Sequence, residues 1–371
     1  MMEFTIKCEK LLKLVQQVSG VSEKKQGLPI LSNVMICVEN AQISLTATDL
    51  EIELTAKGSL EGQFSTGEVT APSRKILDIC RSLPENEDVH CKLEGDRLIL
   101  KNGRSRFVLS TLPAADFHPI QRGLPKIAAN FPQNVLRQMI LSTRFAMANN
   151  DTRYYLNGML FETEEGRLRL IATDGHRLAV NECTTALFPA EPPIHVIVPR
   201  KAVMELISLL NDTSEPVEIG INDNILVAKT ATTEFTTKLI EGRFPDYKRV
   251  VPPPATMELG LDRDMLKQCL SRAATLSNEK NRGVRLLLGT DLLRIVANNP
   301  EQEEAEAEIH LSYQGGPFEI GFNASYLLDV LNTLPPGNVA LKLLDPSCSA
   351  VIQGEAVPGL TQFHVVMPLR L

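Results

Sequence analysis

In the stretch C-E-K-L-L-K-L-V-Q-Q-V, Leu11, Leu14, Val15 and Val18 recur at helical spacing, and Lys10, Lys13 and Gln17 fall on the opposite side. A one-sided apolar stripe of this period predicts an amphipathic helix laid against a core. Five further stretches read the same way: P-S-R-K-I-L-D-I-C-R-S-L-P, Q-N-V-L-R-Q-M-I-L-S-T-R-F, P-R-K-A-V-M-E-L-I-S-L-L, R-D-M-L-K-Q-C-L-S-R-A-A and N-A-S-Y-L-L-D-V-L-N-T-L-P. Between them the pattern alternates or runs apolar over short stretches. D-R-L-I-L-K-N-G-R-S-R-F-V-L-S-T, for example, predicts two strands joined at a K-N-G turn.

The pattern repeats. Thr48-Asp49, Thr173-Asp174 and Asn298-Asn299 each follow an apolar strand, with equal steps of 125 residues (49 to 174, 174 to 299). The flanking helices and strands recur in the same order, so the chain reads as three copies of one unit. Each copy is expected to run helix, strands, helix, strands. The Pro-rich stretches near Ile120–Pro125 and Val251–Thr256 are the expected joints, giving domains 1–124, 125–254 and 255–371. Strands and helices come in groups rather than strict alternation, which predicts an α+β fold with antiparallel sheets.

Composition adds three constraints. At 371 residues, 43% hydrophobic and 22% charged, the chain can hold two or three cores. No apolar run reaches the roughly 18 residues of a membrane span, and M-M-E-F-T-I-K-C-E-K carries no secretory h-region. Seven scattered cysteines without a C-x-x-C pair argue against disulfides and zinc. Together these features predict a cytoplasmic protein. The net charge of −7 argues against bulk attraction to nucleic acid or acidic membranes. Yet Lys10, Lys13, Arg74, Lys75, Arg81, Arg137, Arg144, Arg200, Lys201, Lys267 and Arg272 all fall on predicted helices, five of the six. Solvated faces explain each alone; their segregation suggests one basic surface on an acidic body.

The stretch R-L-I-A-T-D-G-H-R-L-A-V, Arg169 to Val180, resembles acid–base chemistry, with Asp174 and His176 two residues apart. The repeat argues otherwise. Asp49 and Asn299 hold the equivalent place, so the shared Asp or Asn is expected to hydrogen-bond the local backbone of a turn. Nucleotide-binding, nucleophile-elbow and H-E-x-x-H motifs are absent from the sequence. The six histidines show no metal-ligand spacing, so no catalytic residue, metal or cofactor is expected.

L-P-I-L-S-N, A-T-D-L-E, S-R-F-V-L-S-T-L-P-A-A-D-F, R-Y-Y-L-N-G-M-L-F-E, A-T-D-G-H-R-L-A-V, V-I-V-P-R-K, G-R-F-P-D-Y, L-S-N-E-K, N-N-P-E-Q-E-E-A-E and V-V-M-P-L-R-L stand in this order along the chain. In these stretches it resembles, over essentially its whole length, the bacterial β sliding clamps, non-catalytic processivity subunits of the replicative DNA polymerase. The resemblance implies three clamp domains per chain, each with two helices backed by antiparallel sheets. Two chains would close head to tail into a six-domain ring around duplex DNA. Twelve helices spaced about 9 Å apart form a circle of about 34 Å. With helices about 10 Å thick, a hole of about 24 Å remains. A duplex about 20 Å across passes through it, its grooves about 7.5–8.5 Å deep.

The residue roles also follow from the resemblance. DNA contacts would fall at Lys25, Arg74, Asn150, Tyr154, Tyr155 and Lys201, touching phosphates without reading bases. A pocket for short peptide motifs of the polymerase, clamp loader and repair factors would use Arg153, Leu156, Thr173, Gly175, His176, Arg177 and Leu178. Pro245, Arg249 and Val250, then Asn323, Tyr326 and Ser349, would complete its walls. The chain end would add Val365, Val366, Met367, Pro368, Leu369 and Arg370. Leu156, Leu178, Val250, Val366 and Met367 would receive apolar anchors, and His176 and Arg177 would supply polar edges. At the dimer contact, Phe107, Leu109, Lys75, Arg97, Arg104 and Arg106 would face Thr275, Leu276, Glu301, Glu303, Glu304 and Glu306. An enzyme centred on Asp174 and His176, or a peptide scaffold that never encircles DNA, are the alternatives.

Overall fold

The structure, a computed structural model, describes residues 2–22, 27–164, 166–184 and 193–370. Every repeat follows one order. The first comprises β1 (Glu3–Lys7), α1 (Cys8–Ser19), β2 (Asn33–Glu39), β3 (Gln42–Thr48), β4 (Ile52–Ser59), β5 (Gly67–Pro72), α2 (Ser73–Ser82), β6 (Asp88–Glu94), β7 (Arg97–Asn102) and β8 (Ser105–Ser110). The second comprises β9 (Ile127–Pro132), α3 (Gln133–Thr143), β10 (Gly158–Glu164), β11 (Arg167–Thr173), β12 (Arg177–Thr184), β13 (Ile194–Pro199), α4 (Arg200–Leu209), β14 (Pro216–Ile221), β15 (Ile225–Lys229) and β16 (Thr233–Lys238). The third comprises β17 (Met257–Asp262), α5 (Arg263–Ala274), β18 (Gly283–Gly289), β19 (Leu292–Asn298), β20 (Glu304–His310), β21 (Phe318–Asn323), α6 (Ala324–Thr333), β22 (Asn338–Leu343), β23 (Ala350–Gly354) and β24 (Leu360–Val366).

All six expected helices form. In α1 the buried residues are Cys8, Leu11, Leu14, Val15 and Val18, the stripe read from the sequence. Helix α6 starts at Ala324 because the Asn323 side chain accepts from the Ser325 and Tyr326 N–H groups, a typical N-cap. Two details differ from expectation. A strand, not a helix, opens each repeat (β1, β9, β17): alternations of five or six residues buried at every second position. Arg144, expected on a helix, lies in a short 3-10 turn after α3.

The strands form two four-stranded and two eight-stranded sheets, in the orders β1-β6-β7-β8, β5-β2-β3-β4-β16-β15-β14-β9, β13-β10-β11-β12-β24-β23-β22-β17 and β20-β19-β18-β21. Neighbouring strands run antiparallel throughout. The eight-stranded sheets each join two repeats. In one, β4, the fourth strand of the first repeat, pairs with β16, the last strand of the second, with Ala56 opposite Thr233 and Ile52 opposite Thr237. In the other, β12 pairs with β24, with Arg177 opposite Val366 and Cys183 opposite Leu360.

By these shared sheets the three repeats group into two compact units. One unit holds Met1–Asn134 and Met204–Leu239; the other holds Val135–Val203 and Ile240–Leu371. The second repeat is divided between them. In the first unit Glu53, 2% exposed, accepts from the Ile120 N–H at 2.8 Å and pairs with Arg122 at 2.5 Å, while Arg122 also reaches Glu234. The joint segment is thereby tied to both strands of the shared pair. In the second unit one large core lies under α5 and α6, with Leu270, Val284, Leu293, Phe322, Val330 and Leu331 fully or almost fully buried. Each such side chain contributes about 1.5–3 kcal/mol by leaving water. Among the described residues no helix is long and apolar enough to cross a membrane.

Candidate functional site

The A-T-D turns explain how the sequence builds the site. Before β12, the Thr173 hydroxyl donates to the Arg177 carbonyl at 2.7 Å and accepts the Gly175 N–H at 3.1 Å. Asp174 Oδ1 accepts the His176 and Arg177 N–H groups at 2.9 and 3.1 Å. Before β4, Thr48 and Asp49 make the same four bonds with Ile52, Leu50 and Glu51. In the third repeat Asn299 accepts the Glu303 N–H at 2.9 Å over a longer loop. The shared residue is a turn former, as its repetition predicted. The position after it has positive φ, +74° at Leu50 and +89° at Gly175. Glycine removes that strain, and a Cβ there would meet the Arg153 guanidinium at 3.1 Å.

Asp174 bonds the His176 backbone and Arg177, not the His176 ring. Its Oδ2 accepts from Arg177 Nε at 3.0 Å. Arg177 bonds Asp329 through Nη1 at 2.5 Å and the Phe145 carbonyl through Nη2 at 2.9 Å. Its guanidinium also lies 4.5 Å from the Tyr326 ring centre and 5.2 Å from that of Phe145. With its side chain 11% exposed, Arg177 pins the second repeat to the third. Three of the guanidinium's five N–H donors are thus committed within the chain. The His176 ring instead stacks on Tyr326 at 6.0 Å and is exposed. An imidazole there can offer a contact surface, but Asp174 does not orient it.

The chain end closes over this pin. Met367 N–H donates to the His176 carbonyl at 2.9 Å, and Leu369 N–H donates to the Gly321 carbonyl at 2.8 Å. The segment thus runs from the shared sheet onto the third repeat. Arg153 joins from the other side, donating to the Asp174 carbonyl at 3.3 Å. Its pairing with Asp151 holds that carboxyl down at about 2. Arg153, Thr173, Gly175, His176, Arg177, Tyr326, Val366, Met367 and Leu369 are therefore linked by contacts. Asn323 belongs to the same place as the cap of Tyr326's helix.

The remaining expected wall residues divide. Leu156, Leu178, Val365 and Val366 are 1% exposed or less and back the site from within, while Val250, Met367, Pro368 and Leu369 are half-buried. Leu178 and Val365 share an apolar cluster with Phe244 and Tyr247. Pro245 lines a separate hollow of about 410 Å³ with Leu160, Glu162 and His195. Ser349 lines another of about 240 Å³ beside the Pro252–Pro254 run. Arg249 is exposed and pairs with Asp246 at 2.9 Å, and Arg370 is exposed.

Residues not anticipated from the sequence hold the Phe244–Val250 loop. Glu162, 4% exposed, accepts from the Tyr247 hydroxyl at 2.8 Å and pairs with Arg169 at 3.1 Å and His195 at 3.3 Å. Burial and the Glu162 charge raise the Tyr247 pKa, so it stays a donor. Tyr247→Phe should cost about 1.5–3 kcal/mol, the usual size for a hydrogen bond to a charged group. Urea unfolding with hydrogen exchange of the loop checks this; a loss under about 0.5 kcal/mol, below the usual range of even a neutral bond, would mean that Arg169 and His195 satisfy Glu162 without it.

Among the expected DNA-contact residues, Lys25 lies outside the described residues. Arg74 and Lys201 are exposed on α2 and α4, and Asn150 is exposed. The two tyrosines differ: Tyr154 is 58% exposed, whereas Tyr155 packs against the apolar cluster. At the expected dimer contact, Lys75, Arg97, Arg104, Arg106, Thr275, Glu301, Glu303, Glu304 and Glu306 are exposed, and Phe107 and Leu276 are half-buried. Leu109 is 7% exposed within its own chain, and Val108, at 43%, is the outward apolar residue of β8.

These features define a binding protein built by repetition, with a composite site where two repeats meet. Family models for the N-terminal, central and C-terminal domains of the DNA polymerase III beta subunit match residues 2–121, 130–246 and 248–370. The chain is 49% identical over 370 residues to the beta sliding clamp of Vibrio cholerae and 48% identical to that of Escherichia coli K12. Both matches cover all of each chain. Among solved structures it matches the Pseudomonas aeruginosa sliding clamp bound to griselimycin (TM-score 0.96, 48% identity) and Caulobacter crescentus pol III beta (TM-score 0.92, 36% identity), again over 100% of both chains. The chain belongs to the DNA polymerase III beta subunit family, the beta sliding clamps. The family consists of processivity factors, accessory subunits without catalysis of their own, and the enzyme reading of Asp174 and His176 ends there.

Proposed function

We propose that two copies of this chain close into a ring around duplex DNA and tether the replicative polymerase, the clamp loader and repair factors through short peptides. One observation carries the reading. At both shared sheets, the fourth strand of one repeat pairs with the last strand of the next: β4 with β16, β12 with β24. Two such strands are left at sheet edges, β20 of the third repeat and β8 of the first. A head-to-tail copy would repeat the same joint and close after two chains.

Charge fits this pairing. Arg104 and Arg106 at β8 are exposed, as are Glu304, Glu306 and Glu308 on β20. Lys75, Arg97 and Phe107 would add to the first face, and Thr275, Leu276, Glu301 and Glu303 to the second. The half-buried Met367, Pro368, Leu369 and Val250, with the His176–Tyr326 stack, support an apolar peptide seat. A flexible Met suits varied partners. Arg74, Asn150, Tyr154 and Lys201 would touch DNA phosphates, in the cytoplasm, without base readout.

Arg106→Glu should turn one attraction into repulsion and weaken the dimer at least tenfold, and rising salt should weaken the native dimer. Analytical ultracentrifugation between low and high salt tests both. A dimer indifferent to the substitution and to salt would remove the charge pairing from the account.

A further inference from the structure

We infer that Tyr247 is a positioning residue for the peptide seat, and that its bond to the buried Glu162 sets how tightly a peptide is held. This role rests on the peptide-seat reading and adds to it a side chain only 7% exposed, too deep to touch a peptide itself. Pro245 and Val250, two expected walls of the seat, are carried by the Phe244–Val250 loop. That loop has a loose mount. It follows Gly242, whose φ of +139° favours glycine. It also crosses a hollow of about 410 Å³, lined on the strand side by Leu160, Glu162, His195 and Ile197.

Phe244 and Tyr247 are the buried side chains of the loop, and they share an apolar cluster with Leu178 and Val365, which back the seat. Apolar contact is non-directional and leaves the loop free to rock. The Tyr247 hydroxyl adds direction by donating to Glu162 Oε2 at 2.8 Å. Glu162 is a fixed acceptor. Arg169 Nη1 lies 3.1 Å from it and 2.6 Å from Glu164, and Arg169 Nε reaches Glu182 at 2.5 Å. A charged acceptor makes such a bond roughly twice as strong as a neutral one. Lys248 also meets Glu164, at 3.7 Å, but that pair lies at the surface, where ion pairs hold little. The wall is coupled to the anchor through the backbone, because the Val250 N–H donates to the Tyr247 carbonyl at 3.0 Å. Without the hydroxyl, fewer molecules hold both walls in place, and apparent affinity falls by that fraction.

The test titrates the full chain into a fluorescein-labelled hexapeptide with Leu and Phe anchors, chosen for the apolar seat, and follows anisotropy. The native chain should bind saturably, and Met367→Ala, within the seat, should weaken it. Tyr247→Phe should weaken it about fivefold or more, through faster dissociation. Circular dichroism at the assay temperature verifies folding. Glu162→Gln keeps an uncharged acceptor and should fall between the native chain and Tyr247→Phe. In a Val250→Ala chain the Tyr247→Phe loss should shrink to under about twofold, because the hydroxyl acts through that wall. A merely structural tyrosine would lower the melting temperature and leave peptide affinity unchanged. Equal affinities for the native chain and Tyr247→Phe, or an undiminished loss in Val250→Ala, overturn the positioning role. Absent binding, or binding indifferent to Met367→Ala, removes the seat and this role with it. A Met367 effect without a Tyr247 effect removes the role alone.

Discussion

Arg177→Ala is expected to cost about 3 kcal/mol, the low end of the range for breaking a buried ion pair, because Asp174 is 16% exposed but Asp329 is 44% exposed. The substitution strands Asp174, Asp329 and the Phe145 carbonyl together, and it empties the space between the Tyr326 and Phe145 rings. Arg177→Lys should recover little, because an ammonium cannot make the planar set of bonds. The unit containing β12 and β24 should unfold at lower urea, with hydrogen exchange rising first at Met367 and Leu369, whose N–H bonds lie against it. A loss below about 1 kcal/mol, the level of a surface pair, would show that Arg177 is not the pin. Peptide affinity should fall with the same variant, since the seat is assembled by that pin.

His364 gives the second large effect. It is 0% exposed on β24, 5.5 Å from the Phe145 ring, with both ring nitrogens unpartnered among the described residues. Burial pushes its pKa from 6.5 down to about 4. The folded chain thus favours the neutral ring, whereas the unfolded chain takes the proton first as pH falls. The stability is fully present above about pH 6.5 and is lost on the way down to about pH 4. At about 1.4 kcal/mol per pH unit, the loss approaches roughly 3 kcal/mol. His364→Leu should flatten that part of the profile. Urea midpoints at pH 7 and pH 4.5 make the comparison, and equal slopes for the two proteins would exclude His364 as the titrating group.

How much of this was legible depended on range. The six helices were readable because their apolar stripes are local, and the Thr-Asp turns because the repeat displayed them twice. Strands β1, β9 and β17 were missed because five or six alternating residues before a helix carry a weak period. The two-unit packing had no local mark: Ala56 and Thr233 meet across 177 positions. The Arg177 pin had no local mark, because Asp329, which pairs with it, lies 152 residues away. The Glu162–Tyr247–Arg169 cluster was hidden likewise. The burial of His364 had no mark in the sequence, because Phe145, which covers it, lies 219 residues away. The tail came from resemblance alone, since V-V-M-P-L-R has no pattern that would place it across Gly321.

Topological linkage to DNA is the central claim. The chain would be loaded by its clamp loader onto nicked circular plasmid, the plasmid cut once, and retention measured by gel filtration. The account predicts release on linearisation, with the protein intact, because a ring slides off an open end. Retention on linear DNA equal to that on the circle would contradict it, since binding would then rest on contact affinity.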